Sequence, residues 1–158
     1  MITGVADRAR DRIRRLVYLD AAHPQNGQSL VDNAPVQMAF TRSGLRVVDG
    51  VELVLWPDTI RPQFFGITNP ADVDWVAARL TPHPWKCFSQ KLVLQDEAAV
   101  RRIPRTNINC TESLARSSEE ARKRQQDGEH AWEIDTGHDL MITEPEAVAK
   151  MLFALASV

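Results

Sequence analysis

Two side chains in this sequence stand where acid–base chemistry could be done. His138 lies in the run Ile134-Asp135-Thr136-Gly137-His138-Asp139, and Asp20 ends the run Arg15-Leu16-Val17-Tyr18-Leu19. An imidazole whose unperturbed pKa is about 6.5 can take and return a proton at neutral pH. A carboxylate at the C-terminal end of a buried strand occupies the edge where α/β sheets place ligand-binding and catalytic groups. Taken alone, each residue also has a plainer reading: His138 as a polar turn residue, Asp20 as a strand-end cap.

The elements around His138 favour the chemical reading. Before it, His130-Ala131-Trp132-Glu133-Ile134-Asp135 alternates as a short strand does. After it, Thr143 and Glu146 have capping-box spacing with Pro145 in the first turn, which predicts a helix start. That helix sets Val148, Met151, Leu152 and Leu155 on one apolar face. The histidine is therefore expected on a tight strand-to-helix loop, anchored on both sides, where a side chain can be rigid and still exposed.

The remaining elements follow from the same signals. Residues 2–13 read as a helix with Ile2, Val5, Ala9 and Ile13 near one face and alternating arginines and aspartates around the rest. The five arginines between residues 8 and 15 are a solvated face, since aspartates interleave the run. Residues 15–20 form a mostly continuous apolar run of strand length, which fits a sheet covered on both faces. Between 28 and 95 the apolar pieces shorten, as in Val51-Glu52-Leu53-Val54-Leu55-Trp56, and prolines interrupt them. One helix is plain there: Asn69 as N-cap, Pro70 at the first position, and Val73, Val76, Ala77 and Leu80 as its inner face. This segment holds Trp56, Trp75 and Trp85, and reads either as a lid over a pocket or as an irregular subdomain that packs its aromatics inward. Arg105–Cys110 is a strand. Ser117 and Glu120 have capping-box spacing before a polar helix that ends near Gly128. Strand–helix–strand–helix order implies a parallel sheet. The division expected is 1–27 core, 28–95 lid insertion, and 96–158 core with the histidine loop.

Composition narrows the class. The chain has 158 residues, 44% of them hydrophobic and 25% charged, with a formal net charge of -2. That is enough for one domain with a sizeable core. The near-neutral balance gives no electrostatic reason for nucleic acid or an anionic membrane surface. Cys87 and Cys110 fit no metal-ligand or CxxC spacing and read as buried thiols of a reducing, cytoplasmic compartment. No apolar run approaches a membrane span.

Several segments together resemble the small-esterase branch of the α/β-hydrolase superfamily, which also holds plant hydroxynitrile lyases and methyl-salicylate-type esterases. They are Leu16–Ala21, then Pro24 with Gly27-Gln28-Ser29-Leu30, then Phe65–Asp72 and Ala78–Pro84. Ile103-Pro104-Arg105-Thr106 with Cys110-Thr111 follows, and last the Thr136–Asp139 loop. The six pieces keep the family's order across nearly the whole chain. The fold class implied is the C-terminal part of an α/β-hydrolase fold: three parallel strands, flanking helices and an inserted lid.

The resemblance implies a Ser–His–acid hydrolase acting on a small-molecule ester, with no metal or organic cofactor. His138 matches the general base. An acid should hold the other ring nitrogen, fixing its tautomer and stabilising imidazolium. Many relatives carry that acid in a Cys-Thr-Glu-Asp-like turn, which here reads Cys110-Thr111-Glu112-Ser113, so Ser113 stands at the acid position. Asp20 is then the preferred acid and Glu112 the second choice. The nucleophile departs further: none of the seven serines lies in a G-x-S-x-G elbow. In relatives the elbow comes just before a helix like that of residues 2–13. The expectation is a chain beginning after its own nucleophile and inactive as it stands, with the Leu16–Leu19 strand an unpaired edge prone to self-association. Two rival readings are a non-catalytic small-molecule-binding remnant, and an enzyme using Ser113 or a partner chain's serine.

Overall fold

The computed structural model describes residues 1–58 and 60–156 of the chain. Its six strands are β1 Leu16–Leu19, β2 Leu45–Val48, β3 Val51–Val54, β4 His83–Pro84, β5 Arg105–Cys110 and β6 His130–Ile134. β1, β5 and β6 form one parallel sheet in the order β1–β5–β6. β2, β3 and β4 form a separate antiparallel sheet in that order, entirely from residues between the first two strands of the parallel sheet. Helices flank the parallel sheet, as the expected order of elements requires.

Alternation along β1 divides its side chains between two cores. Leu16 and Tyr18 join Ala6, Val100 and Ile103 on one face. Val17 and Leu19 pack on the other, against Ile108, Cys110, Ile134, Leu140 and Val148. β5 is more polar than a central strand usually is, and the structure shows why that is tolerated. Arg105, Asn107 and Asn109 share one face, where their nitrogens donate to the carbonyls of Asp127, Asp127 and Gln125. Those carbonyls close the helix Glu119–Gln126, whose last acceptors would otherwise be left open. The opposite face of β5, Thr106, Ile108 and Cys110, is fully buried.

Several expected elements shift. The first helix runs only Ile2–Arg8, and a 3-10 turn Arg10–Arg12 follows after Ala9 leaves helical geometry. Its inner face is also different: Ala6 and Asp7 are buried, while Ile2 and Val5 are exposed. Asp7 goes inward because the backbone N–H groups of Gln95 and Asp96 donate to its two oxygens. Those two bonds hold its carboxyl below the usual carboxylate range. Thr143 is not a helix cap. A short helix Leu140–Thr143 intervenes, Thr143 pairs its hydroxyl with Thr136, and the long helix Pro145–Ala156 starts after Glu144. On that helix Val148 and Leu155 are buried, but Leu152 is 38% exposed. The cap of the polar helix is Ser118 rather than Ser117, whose hydroxyl donates to the Ser113 carbonyl of an unforeseen helix, Thr111–Arg116. Cys87 is exposed, not buried.

Between residues 28 and 95 the core is Val54, Ile60 and Trp85, with Val31, Met38, Leu45, Trp56, Phe65 and Phe88 around it. Asn69 caps the helix Pro70–Ala77 as expected. Trp75 does not turn inward; it is 51% exposed, with the Arg79 guanidinium 4.3 Å above its ring. Cation–π contact gives an exposed tryptophan a partner without burial.

Candidate active site

The strand register brings Asp20 and the end of β5 together. Leu19 pairs with Ile108, and the Asp20 N–H continues the ladder to the Ile108 carbonyl at 2.7 Å. At that point the backbone of Asp20 turns left-handed, with φ of 43°. Aspartate tolerates this region better than most residues, and the turn swings its carboxylate over the strand ends. There Oδ1 accepts the Cys110 backbone N–H at 3.0 Å and Oδ2 accepts the Ser113 hydroxyl at 2.6 Å. The same Oδ2 lies 2.7 Å from His138 Nδ1. The carboxylate side chain is 1% exposed and the imidazole 49%.

His138 is held from three sides. The Cys110 thiol donates to the Gly137 carbonyl at 2.8 Å, and the Asp139 N–H donates to the Phe65 carbonyl at 3.1 Å. Gly137 also lies against Gly66, so close that a Cβ on either would stand 2.5 Å from the other's Cα. Glycine at both positions is what lets the two backbones touch. The Phe65 ring sits 6.0 Å from the imidazole, centroid to centroid. Behind it come Trp56, in edge contact with Phe65, and His83, stacked on Trp56.

The electrostatics follow from these contacts. Asp20 raises the pKa of His138, chiefly through their hydrogen bond and further through its charge, while burial works against protonation and Asp139 adds a smaller push upward. With the Nδ1 proton donated to Asp20, Nε2 is the accepting nitrogen, and it has no hydrogen-bond partner among the described residues. Burial pushes the Cys110 thiol up to about 12, with Asp20 and Glu112 adding to the effect, so it stays a neutral donor.

Of the sequence candidates, the structure joins His138 with Asp20 and leaves Glu112 outside. Glu112 is exposed and faces Arg116 on its own helix at 3.5 Å. Ser113 comes close, yet its proton goes to the carboxylate and not to the imidazole. Among the described residues no serine hydrogen-bonds His138, and no group of three or more His, Cys, Asp or Glu side chains could hold a metal. The roles of Cys110 and of the Gly66–Gly137 contact escaped the sequence reading. The sequence reading made Cys110 a buried thiol, but nothing local says what such a thiol will touch.

No protein-family model matches the chain. It is 26% identical over 178 residues to a carbendazim hydrolyzing esterase of Nocardioides sp. (strain SG-4G), covering 98% of this chain and 66% of that protein. A solved extracellular alpha/beta-hydrolase from a Paenibacillus species superposes with a TM-score of 0.66 over 96% of this chain, at 22% identity. That structure is described as sharing structural and functional homology with tobacco salicylic acid binding protein 2. The chain has the α/β-hydrolase fold. It spans 66% of the length of the curated hydrolase and 65% of the solved one. Within this fold, the parallel sheet β1–β5–β6 carries the histidine–carboxylate pair at its C-terminal edge. No helix among the described residues is long and apolar enough to cross a membrane.

Proposed function

We propose that this chain supplies the acid–base half of a carboxylic-ester hydrolase. His138 is the general base, Asp20 is the acid behind it, and residues 28–95 form a lid over the reacting centre. The observation that carries this reading is the 2.7 Å contact between a buried carboxylate and Nδ1 of a half-exposed imidazole. Nε2 takes the proton of a serine hydroxyl as that oxygen attacks the ester carbonyl, and returns it to the departing alkoxide. Asp20 keeps the tautomer and stabilises the imidazolium between the two steps.

The serine is the missing part. The reading calls for an elbow serine in a segment before the helix Ile2–Arg8, and both relatives are longer than this chain. The substrate class is a small-molecule ester, and a relative named for hydrolysing carbendazim supports it. Phe65, Trp56 and His83 beside the imidazole suit a planar group stacked under the lid. A reducing, cytoplasmic compartment fits two free thiols, one of them exposed, although the Paenibacillus hydrolase is extracellular.

The test is to assay p-nitrophenyl esters with this chain alone and with the chain extended by its in-frame upstream sequence. The chain alone should show background turnover only. The extended protein should hydrolyse the ester, label with a fluorophosphonate, and lose roughly a thousandfold or more of its rate on His138→Ala. Turnover by the short chain that His138→Ala abolishes would overturn the assignment of the nucleophile. A second reading rests on the absence of a serine at His138 among the described residues: a binding module that keeps the aromatic cluster beside the imidazole. An upstream sequence without an elbow serine, together with saturable binding of an aromatic carboxylic acid, would favour it.

A further inference from the structure

Asp20 Oδ2 receives two donors at once, Ser113 Oγ at 2.6 Å and His138 Nδ1 at 2.7 Å. We propose that Ser113 is a positioning residue for the His138–Asp20 pair, whose hydroxyl locks the carboxylate and withholds part of its charge from the imidazole. The inference rests on the acid–base reading of that pair and adds a residue to it.

The geometry supports each half of the statement. A carboxylate is free to rotate unless both oxygens are held. Here Oδ1 is fixed by the Cys110 N–H and Oδ2 by the Ser113 hydroxyl, so the imidazole meets an oxygen already in place. An O–H···O⁻ bond of this length is charge-assisted and among the stronger hydrogen bonds in proteins. Its effect on the neighbour is the reverse of reinforcement. Negative charge satisfied by the hydroxyl is less available to stabilise imidazolium. Ser113 is itself held, since its carbonyl accepts the Ser117 hydroxyl at 2.9 Å on the helix Thr111–Arg116. The same commitment explains why Ser113 is not the nucleophile. A serine whose proton sits on the acid has no base to give it to.

The other groups facing the ring do not carry this effect. Asp139 follows His138 on its own loop and raises its basicity, while the lid side presents the apolar ring of Phe65. From β5 comes the neutral Cys110 thiol, and Glu112, on the Ser113 helix, acts on that thiol rather than appearing among the charges on His138. Ser113 is the one hydroxyl on the Asp20 carboxylate among the described residues.

The experiment follows the imidazole carbon proton of His138 by NMR across pH in the chain as it exists, assigned with His138→Gln. Ser113→Val and Ser113→Thr have nearly the same volume and differ in the hydroxyl. Ser113→Val should raise the His138 titration midpoint by about half a unit or more, and Ser113→Thr should restore it. In an Asp20→Asn background the Ser113→Val shift should vanish, because the hydroxyl acts through that carboxylate. A midpoint unmoved by Ser113→Val, or moved equally in the Asp20→Asn background, overturns the proposal. If Ser113→Val fails to fold, the comparison of wild type with Ser113→Cys, a far weaker donor of similar size, decides in the same way. No turnover enters this readout, so loss of the esterase reading and loss of the Ser113 effect are seen separately.

Discussion

At the scale of single residues, two histidines pull the stability of the fold in opposite directions with pH. His138 has its pKa raised in the folded state, so its contribution is fully present below about 6.5 and fades as pH rises through its folded value. Because its ring is half exposed, solvent screens that contribution. His23 behaves in the reverse sense. Burial, helped by Arg105 and Arg124, lowers it from 6.5 to about 4, against a smaller opposing pull from Asp127. Between those values the unfolded chain binds a proton that the folded chain refuses, so stability falls as pH drops from 6.5 toward 4. A shift of that size corresponds to at most about 3 kcal/mol. His23 packs its ring against Tyr18 at 4.3 Å, so phenylalanine can take its place without opening the core. We expect urea melts of His23→Phe at pH 7.0 and pH 4.5, chosen conditions, to differ by about 1–2 kcal/mol less than those of the wild type. Equal acid sensitivity in both proteins would show that His23 is not the group responsible.

At the scale of elements, the histidine loop is positioned by backbone contact with the segment Pro62–Gly66. The two meet at Gly66 and Gly137, and the Asp139 N–H to Phe65 carbonyl bond ties them. Adding one methyl at Gly137 places a Cβ 2.5 Å from the Gly66 Cα and 3.0 Å from the Phe65 carbonyl oxygen. Both obstacles are backbone, so neither can swing aside. Gly137→Ala should therefore cost about 1–3 kcal/mol, the range for overpacking a well-filled site. It should also part the two loops. The Asp139 amide should then exchange with deuterium faster, and ring-current effects of Phe65 on His138 should weaken. A variant with wild-type melting and an equally protected Asp139 amide would mean the contact has slack that the geometry does not suggest.

At the scale of the whole molecule, the parallel sheet has an edge at β1. Among the described residues that strand pairs with β5 alone, and the N–H groups of Leu16 and Asp20 go to Pro104 and Ile108. In a parallel ladder the alternate residues face the other way, so Val17 and Leu19 present their N–H groups outward. An apolar edge of this kind is a template for strand addition. We propose that the isolated chain self-associates through β1. Light scattering on a size-exclusion column should show dimers or larger species whose population rises with concentration, and Val17→Pro should suppress them by removing one edge donor. A monodisperse monomer at high concentration would end this proposal.

Much of the site was legible in the linear order of residues. Alternation marked β5 and β6, a short apolar run marked β1, and Gly137 beside His138 marked a tight turn, because these signals depend only on neighbours in sequence. Asn69 with Pro70 marked its helix for the same reason. What stayed hidden involves groups far apart in the chain. Asp7 reads as a surface aspartate until Gln95 and Asp96 bring their N–H groups to it, and Trp75 reads as core until Arg79 covers it outside. Thr143 has the spacing of a cap, but Thr136 takes its hydroxyl across the loop. Asp20 and Glu112 were rivals for His138 in the sequence, since each lies at the end of a strand or in the turn after one. The left-handed backbone at Asp20 and the helical turn that carries Glu112 outward separate them. Local pattern is written in short-range sterics and periodicity; which carboxylate meets which imidazole depends on how strands register across more than a hundred residues of chain, and that is settled only when the core packs.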